Sequence, residues 1–127
     1  MFIKYRNTDL GLLLMRLALS AIFFFEGFSK LMDRTGTINF FSKIGFSPWL
    51  FYLVVGIELI GGIIFLLGIL PEWGYVIAFE MAVIIFKLRL PHGLNSGFFE
   101  LMILASALCF SLAGPGKYSI MGAKNPA

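Results

Sequence analysis

Four apolar stretches, separated by short polar or turn-forming segments, organise the chain. The first runs from Leu10 to Lys30 and the second from Trp49 to Leu70; the third runs from Gly74 to Leu90 and the fourth from Gly97 to Ala113. A helix needs about 20 mostly apolar residues, rising about 1.5 Å each, to cross the hydrocarbon core of a bilayer. The last two stretches are short for that purpose, so they tilt little or extend into their flanking loops. Lys4 and Arg6 ahead of the first stretch, and Ala18-Leu19-Ser20 within it, imitate a signal peptide and its cleavage site. Arg16 interrupts the apolar run, however, and Ala21 to Phe25 continue it beyond the supposed cut. A retained helix is the better reading.

The punctuation agrees. Ser47-Pro48 predicts an N-cap with proline at the first helical position of the second span. Pro71 and Gly74 mark a tight turn, which makes the second and third spans an antiparallel hairpin. Pro91-His92-Gly93 through Asn95-Ser96-Gly97 turn the chain into the fourth span, and Gly114-Pro115-Gly116 ends it. Trp49 and Trp73, with Tyr52 and Tyr75 beside them, fall where interfacial aromatics belong. In the long connection from Leu31 to Ser47, the apolar Ile38, Phe40, Phe41, Ile44 and Phe46 alternate with Asn39, Ser42 and Lys43. A short interfacial helix fits there, and so does an apolar loop at the headgroups. The expected fold is an all-α integral membrane protein of one domain over residues 1–127. It is a four-helix antiparallel bundle with a short interfacial helix between its first two spans.

Composition fixes the class. Of the 127 residues, 59% are hydrophobic and 13% charged, where soluble domains run about 45–50% and about 25%. A net charge of +3 is spread along the chain, and its longest basic cluster is Lys87-Leu88-Arg89. Nucleic acid is therefore not an expected partner. Cys109 is the only cysteine and His92 the only histidine. No intrachain disulfide, redox pair, multi-cysteine metal site or bis-histidine haem can form. Cys109 reads as a buried small hydrophobe, and His92 as an exposed turn residue.

An even number of spans puts both termini on one side. Lys4, Arg6, Lys117 and Lys124 lie there, against Lys30, Arg34, Lys43, Lys87 and Arg89 on the other. With Lys30 and Lys87 counted inside the bilayer, the tally tips toward cytoplasmic termini.

The informative residues are charges within or at the edge of the spans: Arg16, Glu26, Lys30, Glu58, Glu80, Lys87, Arg89 and Glu100. Each central charge costs roughly 2.5–3.5 kcal/mol on the insertion scale, so such groups pair and often serve function. Counting depth from the terminus side puts Arg16 and Glu80 both at about 9 Å, Glu58 at about 18 Å and Lys87 at about 20 Å. Glu26, Lys30, Arg89 and Glu100 gather at roughly 22–30 Å. This predicts Arg16 facing Glu80, Glu58 facing Lys87, and a charged ring at the mouth. Glu26 and Lys30, spaced i,i+4, can pair along their own helix. Arg16 and Lys30 are nearly four turns apart and share a face. Gly27, Gly56, Gly61, Gly62 and Gly68, with Ala78 and Ala82, would let helices approach closely.

Three segments together resemble the DoxX family of small bacterial membrane proteins. They are Arg16-Leu17-Ala18-Leu19 with Phe25-Glu26-Gly27-Phe28-Ser29-Lys30-Leu31; Glu58-Leu59-Ile60-Gly61-Gly62 continuing to Leu67-Gly68; and Gly114-Pro115-Gly116-Lys117-Tyr118-Ser119-Ile120. Met121 departs from the pattern, standing where the family commonly has Asp. The resemblance implies a four-helix bundle in the bacterial cytoplasmic (inner) membrane. It also implies kinship with subunits of thiosulfate–quinone oxidoreductases and with oxidative-stress-linked membrane complexes.

The residues themselves show no P-loop, metal cluster or nucleophilic triad, so no cofactor site is expected within the chain alone. An isoprenoid quinone needs only an apolar slot, aromatic walls and one or two polar groups. Phe23, Phe24, Phe25 and Phe28 beside Lys30 and Glu58 could supply them, with Lys30 or Arg16 polarising a quinone oxygen and Glu58 relaying the proton. The leading expectation is therefore a membrane subunit of a quinone-linked redox system. It would work with a soluble or membrane redox partner subunit, or as a homo-oligomer. A small-molecule or lipid transporter and a non-catalytic assembly protein are the alternatives, and whether the chain is itself an enzyme stays open.

Overall fold

The computed structural model describes residues 7–120. Lys4 and Arg6 of the charge tally, Lys124, and Met121 of the closing motif lie outside them. Among the described residues every regular element is helical. Helix α1 spans Thr8–Met32, α2 Arg34–Lys43, α3 Trp49–Leu67, α4 Trp73–Ile84 and α5 Phe98–Ala113. Three segments are long and apolar enough to cross a membrane: α1, α3, and Asn95–Ala113, which contains α5.

Local chemistry sets the ends. Asn7 caps α1 by accepting a hydrogen bond from the Leu10 N–H at 3.0 Å. At α3 the predicted Ser47 hydroxyl cap does not form. The Ser47 and Pro48 carbonyls accept from Leu50 and Phe51 instead, at 3.0 and 3.1 Å. Gly68, at φ +71°, closes α3 in the left-handed conformation, so the helix ends at Leu67, three residues before the Leu70 expected as its end.

The third apolar stretch is helical from Trp73 to His92 but not uniformly α. Pro91 has no N–H to extend an α-helix. Before it, Ile85–Arg89 form a π-turn in which the Leu90 N–H reaches back five residues to the Ile85 carbonyl. Leu90–His92 then tighten into a 3₁₀ turn. A helix does form in the long connection, as α2.

Helix α1 runs antiparallel to α3, and α4 antiparallel to α5; these are the main packing pairs. On α1 the buried residues Leu12, Arg16, Leu19, Ser20, Phe23 and Gly27 make one helical stripe. One core joins all four long helices through Leu19, Phe23, Ile64, Phe65, Ile77, Met81, Ile103, Ala107 and Phe110. Phe65 stacks on Phe23 at 5.7 Å and meets Phe110 edge-on at 4.9 Å. A smaller cluster of Phe41, Phe51 and Val55 ties α2 to α3.

Some small residues act as predicted. Gly27 sits under Leu59, Gly61 under Trp73 and Gly62 under Phe24, whereas Gly56 faces open space. Trp73 is thus part of the packing rather than a surface anchor, while Trp49, Tyr52 and Tyr75 are exposed. Cys109 is exposed, not buried, because the inward stripe of α5 uses Ile103, Ala107 and Phe110. The closest helix approach was not among the predicted ones. A Cβ on Gly74 would land on the Ser111 hydroxyl and the Ala107 carbonyl oxygen of α5. Gly74→Ala is expected to destabilise the fold by about 1–3 kcal/mol, as overpacking does. Gly56→Ala should be neutral or mildly stabilising, and thermal unfolding of the two variants in detergent makes the comparison.

Candidate functional site

The eight candidate charges do not form one network; the fold sorts them into separate groups. Arg16 lies near the end of the bundle where Asp9 accepts a hydrogen bond from the Lys117 N–H at 3.0 Å. It is fully buried, and its partners are carbonyls rather than Glu80. Nη1 donates to the Phe65 and Leu66 oxygens at 2.9 and 3.3 Å, and Nη2 to the Tyr118 oxygen at 2.5 Å. The last carbonyls of α3 carry the negative end of its dipole. They take the guanidinium without any carboxylate. Arg16 therefore ties α1 to α3 and to the segment after α5, and the predicted Arg16–Glu80 pair is replaced by this clamp.

The predicted Glu58–Lys87 pair is replaced as well. Glu58 is buried on α3 between the two apolar clusters, and both its oxygens accept from the Lys30 ammonium, at 3.0 and 3.1 Å. Lys30 also reaches Glu26 Oε2 at 3.4 Å, the i,i+4 pair the sequence predicts. Side chains on α1 lean toward its N-terminus, which brings the long Lys30 chain down to the level of Glu58. On α4, both Glu80 oxygens are buried without a hydrogen-bond donor, and the carboxyl is near enough to Glu58 to interact with it. One ammonium thus faces three carboxyls drawn from α1, α3 and α4.

The remaining candidates have other partners. Arg89 Nε donates to Glu100 Oε1 at 2.6 Å, locking the π-turn to the first turn of α5, so two members of the predicted ring at the mouth do pair. Lys87 sits 5.3 Å from the centre of the Phe46 ring and holds the α2–α3 loop. His92 is an exposed turn residue, as read from the sequence.

The four phenylalanines proposed as aromatic walls separate too. Phe23 belongs to the core, Phe24 covers Gly62, and Phe25 and Phe28 face outward. Of these, Phe25 borders a depression next to the carboxyl set. That groove, of about 350 Å³, lies between α1 and α5 and is lined by Ala21, Ile22, Phe25, Glu26 and Phe99. A larger one, about 490 Å³, is lined by Phe79, Ala82 and Val83 of α4 and by Phe86 and Lys87 of the π-turn. Charge and motif reasoning missed Phe99 and the buried Ser20, whose hydroxyl donates to the Gly62 carbonyl at 2.8 Å. Both are uncharged or apolar residues in apolar runs, so only spatial neighbours reveal them. Among the described residues no group of His, Cys, Asp and Glu is arranged to hold a metal.

Comparison with known proteins follows the same lines. The DoxX family profile matches residues 11–90, which include Arg16, Glu26, Lys30, Glu58, Glu80, Lys87 and Arg89. The chain is 36% identical over 104 residues to a Bacillus subtilis (strain 168) protein named "Putative oxidoreductase CatD", covering 80% of this chain and 78% of that one. It is 27% identical over 117 residues to "Inner membrane protein YqjF" of Escherichia coli (strain K12), covering 88% and 90%. No solved structure matches it significantly. The chain is a membrane protein and belongs to the DoxX family.

Proposed function

We propose that this chain is a membrane subunit of a quinone-linked redox system in a bacterial cytoplasmic membrane. The observation that carries the reading is the Lys30–Glu58 ion pair, flanked by Glu26 and Glu80 and set beside an aromatic-edged groove. An ionisable set in apolar surroundings is expensive to keep and is a functional site by default. The groove fits a quinone head: it is apolar, bordered by Phe25 and Phe99, and has one polar corner at Glu26. When bound, the quinone supplies a lipid-soluble acceptor of two electrons and two protons. The electrons come from a soluble or membrane redox partner subunit.

The chain's own residues handle position and protons. Glu26 meets the ligand at the groove. Lys30 holds its proton on Nζ between Glu26 and Glu58, and Glu58 exchanges protons with Glu80 deeper in the bundle. Arg16, clamped by carbonyls at the far end, has a structural role in this reading. The third helical stretch completes a four-span bundle, α2 lies along the interface, and both ends of the chain face the cytoplasm.

The test is extraction of bound small molecules from gently purified protein, read by mass spectrometry. A near-stoichiometric isoprenoid quinone, lost in Lys30→Met and Glu58→Gln, is the expected result. Bulk phospholipid alone, unchanged in those variants, would instead favour transport or assembly.

A further inference from the structure

The groove between α1 and α5 is chemically one-sided. Carbon from Ala21, Ile22, Phe25 and Phe99 lines it, and its single charged group is the Glu26 carboxyl. Glu26 is only partly engaged: Oε2 receives the long 3.4 Å contact from Lys30, while Oε1 accepts nothing from the described residues. The side chain is 40% exposed, within a helix apolar enough to span a membrane and next to outward-facing Phe25. Lys30 is not among the residues that line the groove, and its three N–H donors go to the two Glu58 oxygens at 3.0 and 3.1 Å and to Glu26 Oε2 at 3.4 Å. What the groove offers a ligand is an acceptor.

We infer that this groove prefers the reduced, hydroxyl-bearing form of the lipophilic carrier, a quinol, over the quinone. The inference rests on the reading of the groove as a quinone site. A quinol presents an O–H that donates to Glu26 Oε1, with its ring against the Phe25 and Phe99 side chains. A quinone presents only carbonyl oxygens, which are acceptors, and an acceptor set against a carboxylate is left unpaired. Carrier size and tail do not distinguish the two forms, so the discrimination rests on one carboxyl oxygen. The larger groove on α4 has the opposite polarity, since its only charged group is the ammonium of Lys87. That ammonium is already seated on the Phe46 ring.

Equilibrium binding of a decyl-substituted benzoquinol and its benzoquinone to the full chain in detergent, under anaerobic conditions, tests this. The quinol is expected to bind about tenfold more tightly, a modest fraction of what a fully enclosed hydroxyl-reading site achieves. Glu26→Gln keeps the shape but adds a donor, and should bring the two affinities close to equal. Phe99→Ala should weaken both forms together, and Lys87→Met should change neither. Equal or tighter binding of the quinone, or a preference that persists in Glu26→Gln, overturns the inference while leaving the quinone-linked reading intact. Binding of neither form overturns both.

Discussion

Replacing Arg16 with leucine is expected to destabilise the protein by about 2–4 kcal/mol. Hydrogen bonds to a charged group contribute about 1.5–3 kcal/mol each, and the guanidinium donates to three carbonyls. Their sum is an upper bound, because the substitution also removes the cost of burying a cation. Two of those carbonyls end α3 and the third belongs to Tyr118, so the damage should spread to the segment after α5. Protease cleavage within residues 114–120, alongside thermal unfolding in detergent, reads both effects. Arg16→Lys should fall between the two proteins, since an ammonium is a compact donor that cannot reproduce the planar fork. On the proposed reading, quinone binding at the Glu26 groove, toward the other end of the bundle, should persist in whatever fraction of the variant remains folded. Unaltered stability in Arg16→Leu would show that the clamp does not form.

The second large effect lies at the Lys30–Glu58 pair. Removing one partner of a buried ion pair typically costs about 3–5 kcal/mol, because the other charge is left uncompensated. Lys30→Met and Glu58→Leu should each approach that range. Lys30→Met is the more damaging of the two, since Glu26 and Glu80 stay behind with Glu58. The double variant should cost clearly less than the sum, with a coupling energy on the order of 1–3 kcal/mol. Additivity within about 0.5 kcal/mol would mean that the two side chains do not meet. The same cycle built on Lys87 and Glu58 should be additive, because Lys87 lies on Phe46 instead.

The two relatives bear on these results in different ways. The name of one speaks of an oxidoreductase and that of the other of an inner membrane. A shared fold does not carry activity by itself; the proposed chemistry rests on the carboxyl set and its groove.

Depth along the helices placed the charges at useful levels but gave two partners wrongly, for two reasons. It paired charge with charge and treated side chains as points on the helix axis. Arg16 found its counter-charge in the carbonyl end of α3, which no count of acidic residues contains. Lys30 reached Glu58 through a long side chain leaning toward the start of its helix. Local pairs were easier: Glu26 and Lys30 follow from i,i+4 spacing alone.

The sequence by itself determined what depends on composition and local order. Long apolar runs demand helices in a membrane, since hydrocarbon leaves backbone groups no other partner. Gly68 and Pro71 after the second run, and Gly114 after the fourth, set where those two runs stop. The tertiary structure decided which charges meet, that Pro91 is preceded by a π-turn, and that a groove opens at Glu26 between α1 and α5. Those outcomes depend on helix rotation and on side-chain reach. A rotation of one residue position turns a face by about 100° and leaves the hydropathy profile unchanged.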